Sequence, residues 1–158
     1  HLPDITFWLL GGLWGITWPD VLQILPVVVP SLIVAYLMRW RLNLLSMRDE
    51  TAFSLGVTPG RERLVLLVAA VASTAAVVAK AGQVGWVGLI VPHIARRLVG
   101  SDAQRMLPGA MLLGGFFVLL CDNVARTLLS GEIPLGILTS FVGASLFLGM
   151  LSRQSLKV

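Results

Sequence analysis

The chain has 158 residues, of which 56% are hydrophobic and 13% charged, with a formal net charge of +4. A soluble domain carries roughly 25% charged residues. This chain therefore has too little polar surface to cover a water-soluble globule, and lipid is its solvent. Its single cysteine, Cys121, excludes an internal disulfide.

A membrane-spanning helix takes about 20 mostly apolar residues, so the length allows about five spans with short loops. The chain opens abruptly on His1 and an apolar stretch, which predicts a piece of a longer polypeptide. Residues 1–20 are expected to form a re-entrant or interfacial segment on the outer side, broken within 5–18 by Gly11, Gly12 and Gly15. Trp8, Trp14 and Trp18 suit a membrane boundary. The first full span covers 21–38. Pro26 and Pro30 each remove a backbone donor there and predict a kink.

Residues 40–63 form the longest polar connection. Ser46, with Asp49 three residues on, has the form of a capping box and predicts a short helix over 47–55. Gly56 is placed to end it in a left-handed conformation. Thr58-Pro59 is a second start signal, with proline at the first helical position. That helix runs through Arg61 and Glu62 into the second span, 64–79. The result is a knob in which Arg48, Asp49, Glu50, Arg61 and Glu62 are mixed with Ala52, Phe53 and Leu55. It is either a solvated turn or a docking surface. We read it as a docking surface, because reversing the chain needs no pair of capped helices.

The third span, 81–95, is short. Gly82, Gly85 and Gly88 follow at spacing three and allow close helix contact. His93 has no second histidine, cysteine or carboxylate near it in sequence and reads as structural. The fourth span covers 106–121 and can continue to 129. Asp122 and Arg126 stand one turn apart on one face of it. Ionisable groups at membrane depth are costly. This pair either neutralises itself or lets Arg126 meet an acidic partner at the outer surface. Gly131-Glu132-Ile133-Pro134 closes a loop and opens the fifth span, 133–152. Gly136, Thr139, Ser140 and Gly143 make a stripe of small, weakly polar residues along it. The stripe serves either helix packing or the wall of a polar path.

Ten of the twelve Lys and Arg residues fall in alternate connections and the C-terminal tail; only Lys80 and Arg126 fall on the other side. The positive-inside rule then places the long connection and the C-terminus in the cytoplasm. The arginines are divided among loops and not gathered on one face, which argues against a nucleic-acid partner. There is no HExxH, GxSxG, P-loop or paired cysteine motif. The expectation is an all-α polytopic bundle of about five spans in one domain, 1–158. It has no catalytic residue, no metal ligands and no cofactor, and is not an enzyme.

Several motifs coincide in order. Arg41-Leu42-Asn43-Leu44-Leu45 and Ala52-Phe53-Ser54-Leu55-Gly56-Val57 come first, then Gly85-Trp86-Val87-Gly88-Leu89-Ile90-Val91-Pro92-His93-Ile94-Ala95-Arg96. Leu107-Pro108-Gly109, Asp122-Asn123-Val124-Ala125-Arg126, Glu132-Ile133-Pro134-Leu135-Gly136-Ile137-Leu138-Thr139 and Gly143-Ala144 follow. Together they resemble the permeases of binding-protein-dependent ABC importers for iron-siderophores, haem and vitamin B12. The resemblance covers nearly the whole chain and implies the second half of a ten-helix permease in a prokaryotic inner membrane, with residues 64–158 as its last four spans.

It also implies partners: an ABC ATPase subunit that hydrolyses the ATP, a periplasmic or lipid-anchored substrate-binding protein, a second permease copy, and membrane lipid. By the same resemblance, the coupling region is Arg48, Asp49, Glu50, Ala52, Leu55, Gly56, Pro59 and Arg61. Arg126 docks on a glutamate of the binding protein. Gly136, Thr139, Ser140 and Gly143 line the pathway. Lys80 and Gln83 depart from the small or apolar residues of many members, and Ser145 from a common proline. The rivals are a fragment of an ion-coupled secondary transporter and a membrane assembly or sensory module. The first needs intramembrane carboxylates, of which only Asp122 qualifies.

Overall fold

A computed structural model describes residues 2–128 and 133–155. Among these residues the chain is helical, with no strand: α1 (Leu2–Leu10), α2 (Trp18–Leu37), α3 (Arg39–Leu45), α4 (Asp49–Ser54), α5 (Pro59–Ala81), α6 (Val87–Val99), α7 (Ala103–Leu128) and α8 (Leu135–Ser155). In lipid every backbone polar group must be satisfied within the protein, which favours helices. Four of them, α2, α5, α7 and α8, are long and apolar enough to cross a bilayer. Their outward side chains are large and apolar. Leu64, Phe116 and Phe141 are 60%, 65% and 73% exposed, a surface that lipid or further protein must cover.

α2 lies antiparallel along α5 and α6 antiparallel along α7, while α8 packs against α7 and α6 and runs in the same direction as α6. One end of the bundle carries α3, α4 and most of the arginines. The other carries α1 and the tryptophans other than Trp40.

The first span begins at Trp18, ahead of the expected residue 21. Asp20 accounts for the earlier start: its carboxylate accepts from the backbone N–H of Thr17 at 3.0 Å and from its hydroxyl at 2.6 Å. Pro26 and Pro30 lie inside α2 without ending it.

The capping box expected at Ser46 does not form. The reason is α3, a helix hidden in the polar connection. Ser46 closes α3 and donates its hydroxyl proton back to the Asn43 carbonyl at 2.6 Å. α4 therefore starts at Asp49, with Arg48 as its cap. Gly56 is left-handed as expected (φ +82°), and Pro59 opens a helix continuous with the second span.

The third crossing is the main correction. No continuous helix spans 81–95. α5 ends at Ala81, residues 82–86 are non-helical, and α6 has 13 residues. Gly82 (φ +71°) and Trp86 (φ +68°) adopt left-handed backbone and break the helix. Only Gly88 of the expected glycine row is therefore helical. Gln83, Gly85 and Trp86 lie successively against Gly136, Ser140 and Gly143. The non-helical stretch thus descends two turns of α8, about 10 Å, before α6 adds about 20 Å. Together they match a bilayer core of about 30 Å. α7 starts ahead of the expected fourth span, at Ala103, and runs to Leu128, along the expected continuation. Of the loop expected to open the fifth span, Gly131 and Glu132 lie outside the described residues.

At the tryptophan-rich end three backbones meet. Gly12 N–H donates to the Ala81 carbonyl at 2.8 Å, and Gly136 N–H to the Gly11 carbonyl at 3.5 Å. A Cβ on Gly82 would overlap the Trp8 carbonyl. Gly15 is also left-handed (φ +97°) but has open space around it. Gly82→Ala therefore carries both the left-handed penalty of about 1–2 kcal/mol and a backbone clash, whereas Gly15→Ala carries only the first. Thermal unfolding of the detergent-solubilised full-length protein should show a clearly larger drop in midpoint for Gly82→Ala. Equal drops would exclude the close crossing.

Candidate functional site

The knob is built from α3, α4 and the start of α5. Its inner side is apolar: Leu45, Ala52 and Val57 are buried together, with Leu44 and Leu66 packed around them. Val57 N–H donates to the Ala52 carbonyl at 3.1 Å, which the left-handed Gly56 makes possible. Two arginines fasten it. Arg63 donates to the Leu45 carbonyl and to Asp49 Oδ1, both at 2.9 Å. Arg41 pairs with Glu62 Oε1, which also receives the Thr58 N–H at 3.4 Å. Glu62 is buried, and its Oε2 has no hydrogen-bond partner among the described residues.

The outer side is different. Phe53 is 70%, Leu55 56% and Met47 47% exposed. Arg48, Asp49, Glu50, Gly56 and Arg61 are exposed around them, and Pro59 is half-buried. Of the residues expected to couple, only Ala52 is fully buried, as the floor of the knob. An exposed apolar group rimmed by mixed charge is the composition of a protein contact. Phe53 and Met47 are absent from the expected site set. Their signal was available: large apolar residues in an otherwise charged connection.

A polar seam holds α3 on α7. Asn43 donates to Asp102 Oδ1 at 2.6 Å and accepts from the Ala103 N–H at 2.9 Å. Asp102 also accepts from the Gln104 N–H at 3.1 Å, capping α7. The Asn43 bond first, and then the Gln104 bond, hold the Asp102 carboxyl below the usual carboxylate range.

At the opposite end Arg126 donates to Asp122 Oδ2 at 2.9 Å. The side chain of Asp122 is 15% exposed and that of Arg126 55%, so the pair forms while the guanidinium still reaches outward. Lys80 bonds Asp20 at 2.8 Å and Gln23 at 2.7 Å, joining α5 to α2. This bond is invisible to local pattern because its partners are about 60 residues apart.

Between α1, the 82–86 stretch and α8 lies a cleft of about 650 Å³, lined among others by Leu10, Gln83, Trp86, Gly136, Ile137 and Ser140. The expected stripe divides here. Gly136 and Ser140 reach the cleft. Thr139 is fully buried, and Gly143 is buried against Trp86, where a Cβ would come within 2.7 Å of the Trp86 Cβ. Thr139 and Ser140 both donate to the Gly136 carbonyl, at 3.1 and 2.7 Å. Gln83 and Trp86 are cleft residues that the stripe alone does not reveal. His93 is exposed on α6, and Cys121 is buried in α7.

A model of the FecCD transport family matches residues 1–153. The molybdate import system permease protein MolB of Haemophilus influenzae is 44% identical over 147 residues, 92% of this chain and 43% of that protein. The Fe(3+) dicitrate transport system permease protein FecC of Escherichia coli K12 is 41% identical over 155 residues, 98% of this chain and 47% of that protein. The hemin transport system permease protein HmuU of Yersinia pestis is 38% identical over 155 residues, 98% and 46% respectively. Among solved structures, a metal-chelate type ABC transporter in an inward-facing conformation superposes with a TM-score of 0.90 at 40% identity, covering 96% of this chain and 49% of that one. The chain thus spans less than half the length of these relatives.

The seam makes an acid prediction. A carboxylate whose pKa is lowered by folding contributes stability above its unfolded pKa and loses it as pH falls through the folded one. Lowering pH below the usual carboxylate range should reduce the thermal midpoint of the full-length protein, and Asp102→Asn should shrink that reduction. An identical acid response in the variant would remove Asp102 from the account.

Proposed function

Because the chain belongs to the FecCD transport family, we propose that it is the second half of the permease subunit of an ABC importer for an iron-siderophore, haem or cobalamin-type cargo. The observation that carries this reading is the knob. It is fastened to the bundle on its buried side and presents Phe53 and Leu55 outward among charges. Such a surface suits a protein partner that pushes on it, and the partner is the ABC ATPase. ATP is hydrolysed there, so this chain transmits force and performs no chemistry. The arginine-rich end and the C-terminus face the cytoplasm of a prokaryotic inner membrane.

At the other face Arg126 offers its outward guanidinium to a carboxylate of a substrate-binding protein. A second permease copy completes the pathway, with the cleft beside Gly136 and Ser140 as part of its wall. Closure of the ATPases moves the knobs, the two permeases rock, and access switches from one side to the other. Ion coupling through Asp122 is disfavoured, because that carboxylate is already held by Arg126.

The test uses the full-length permease assembled with its ATPase and binding protein. Leu55→Asp puts a charge into the apolar contact and Gly56→Val strains the left-handed turn. Each should lower binding-protein-stimulated ATPase by about tenfold or more, the scale of a lost hot spot. Stimulation at the wild-type level in both would sink the coupling role. Arg126→Glu should weaken binding-protein association several-fold in low salt and less in high salt, as screening requires. Affinity indifferent to the substitution would leave Arg126 only its bond to Asp122.

A further inference from the structure

Gln83 combines a fixed backbone with a free side chain. Its carbonyl oxygen lies where a Cβ on Gly11 would sit, and 3.0 Å from where a Cβ on Gly136 would sit. The neighbouring backbones thus hold it from two sides. Gln83 lines the cleft, and its carboxamide has no hydrogen-bond partner among the described residues.

Trp86 is fixed in a comparable way. Its left-handed φ of +68° points the side chain onto Gly143, and its ring lies 6.1 Å from that of Phe147. Its indole N–H has no partner among the described residues either. Ser140 gives its proton to the Gly136 carbonyl and keeps acceptor capacity towards the cleft. Among the described residues, no charged side chain lines this cleft. Their side chains bring one carboxamide, one indole and one hydroxyl, set among leucine, isoleucine and glycine.

We infer that Gln83 is a specificity-determining residue of this permease. Its carboxamide, with Trp86 beside it, takes a carboxylate, carbonyl or oxo face of the passing cargo. The inference rests on the importer reading of this cleft. A carboxamide offers two donors and one acceptor, and its clamped backbone fixes the point from which the side chain reaches. Neutral donors also suit a route. They bind an oxygen face well enough to admit it and weakly enough to release it, where a fixed cation would trap an anionic chelate.

The test is uptake into proteoliposomes by the full-length permease with its ATPase and binding protein. The probes, each offered alone, are radiolabelled ferric citrate, a ferric hydroxamate, haemin, cyanocobalamin and molybdate. Wild type should accumulate at least one of them. Gln83→Leu should lower that uptake about tenfold, the size of one lost hydrogen bond to a charged acceptor. Gln83→Glu has the same length but an anionic, acceptor-only end, and should discriminate against the anionic probes more than against the hydroxamate chelate. Co-elution of each variant with the ATPase should match wild type. Unchanged uptake and selectivity in both variants would overturn the role of Gln83 while leaving the importer reading intact. Loss of co-elution together with uptake would reassign Gln83 to structure. Failure of wild type to accumulate any probe would overturn the importer reading, and this inference with it.

Discussion

Three backbones cross within van der Waals distance at the tryptophan-rich end, and the rest of the architecture follows from that crossing. The chain leaves α5 at Gly82 against the Trp8 carbonyl, Gly11 sits on the Gln83 carbonyl, and Gly136 opens α8 against Leu10. None of the three has room for a side chain. Hydrogen bonds from Gly12 to Ala81 and from Gly136 to Gly11 join the strands of this crossing. Lipid offers backbone groups no alternative partner, so irregular backbone at this depth survives only where protein surrounds it. The crossing thereby permits a non-helical stretch inside a membrane protein, and that stretch is what opens the cleft.

The opposite end is held by different physics. The knob is held by side-chain bonds. Arg63 and Arg41 tie it to α5, and the Asn43–Asp102 seam ties α3 to α7. Exposed ion pairs are individually weak, but here they work with a buried floor of Leu45, Ala52 and Val57. One face of α4 is committed to that floor. The other is left with Phe53 and Leu55 in the open, a surface with no reason to persist unless something covers it.

The parts of the chain legible in sequence were those set by local rules. Apolar runs located α2, α5, α7 and α8, because helix length and lipid thickness are matched quantities. Pro59 and Gly56 announced a start and a stop, since each restricts φ on its own. Asp122 and Arg126 pair as their spacing requires. The failures share one cause, which is that the deciding partner lies far off in sequence. Ser46 looked like a cap, but a helix ending in front of it claimed its hydroxyl. Gly82 and Gly85 looked like a helical face; instead Gly82 is where α1 comes too close for a Cβ, and Gly85 lies non-helical against Ser140 of α8. The stripe on α8 is real as a pattern, yet Thr139 and Gly143 turn inward while Gly136 and Ser140 turn to the cleft. Periodicity gives a face to each residue; only packing says what that face meets.

The two ends are joined by α5. It runs unbroken for 23 residues, from Pro59 in the knob to Ala81 at the glycine crossing, a rod of about 35 Å. Lys80, one residue from its end, also binds α2 through Asp20 and Gln23. A helix without an internal proline or glycine after Gly60 has no cheap place to bend. A displacement of the knob is therefore passed along α5 to the residue before Gly82, and so to the backbone that carries Gln83. On the importer reading, the surface that meets the motor and the cleft that meets the cargo are opposite ends of one rigid element.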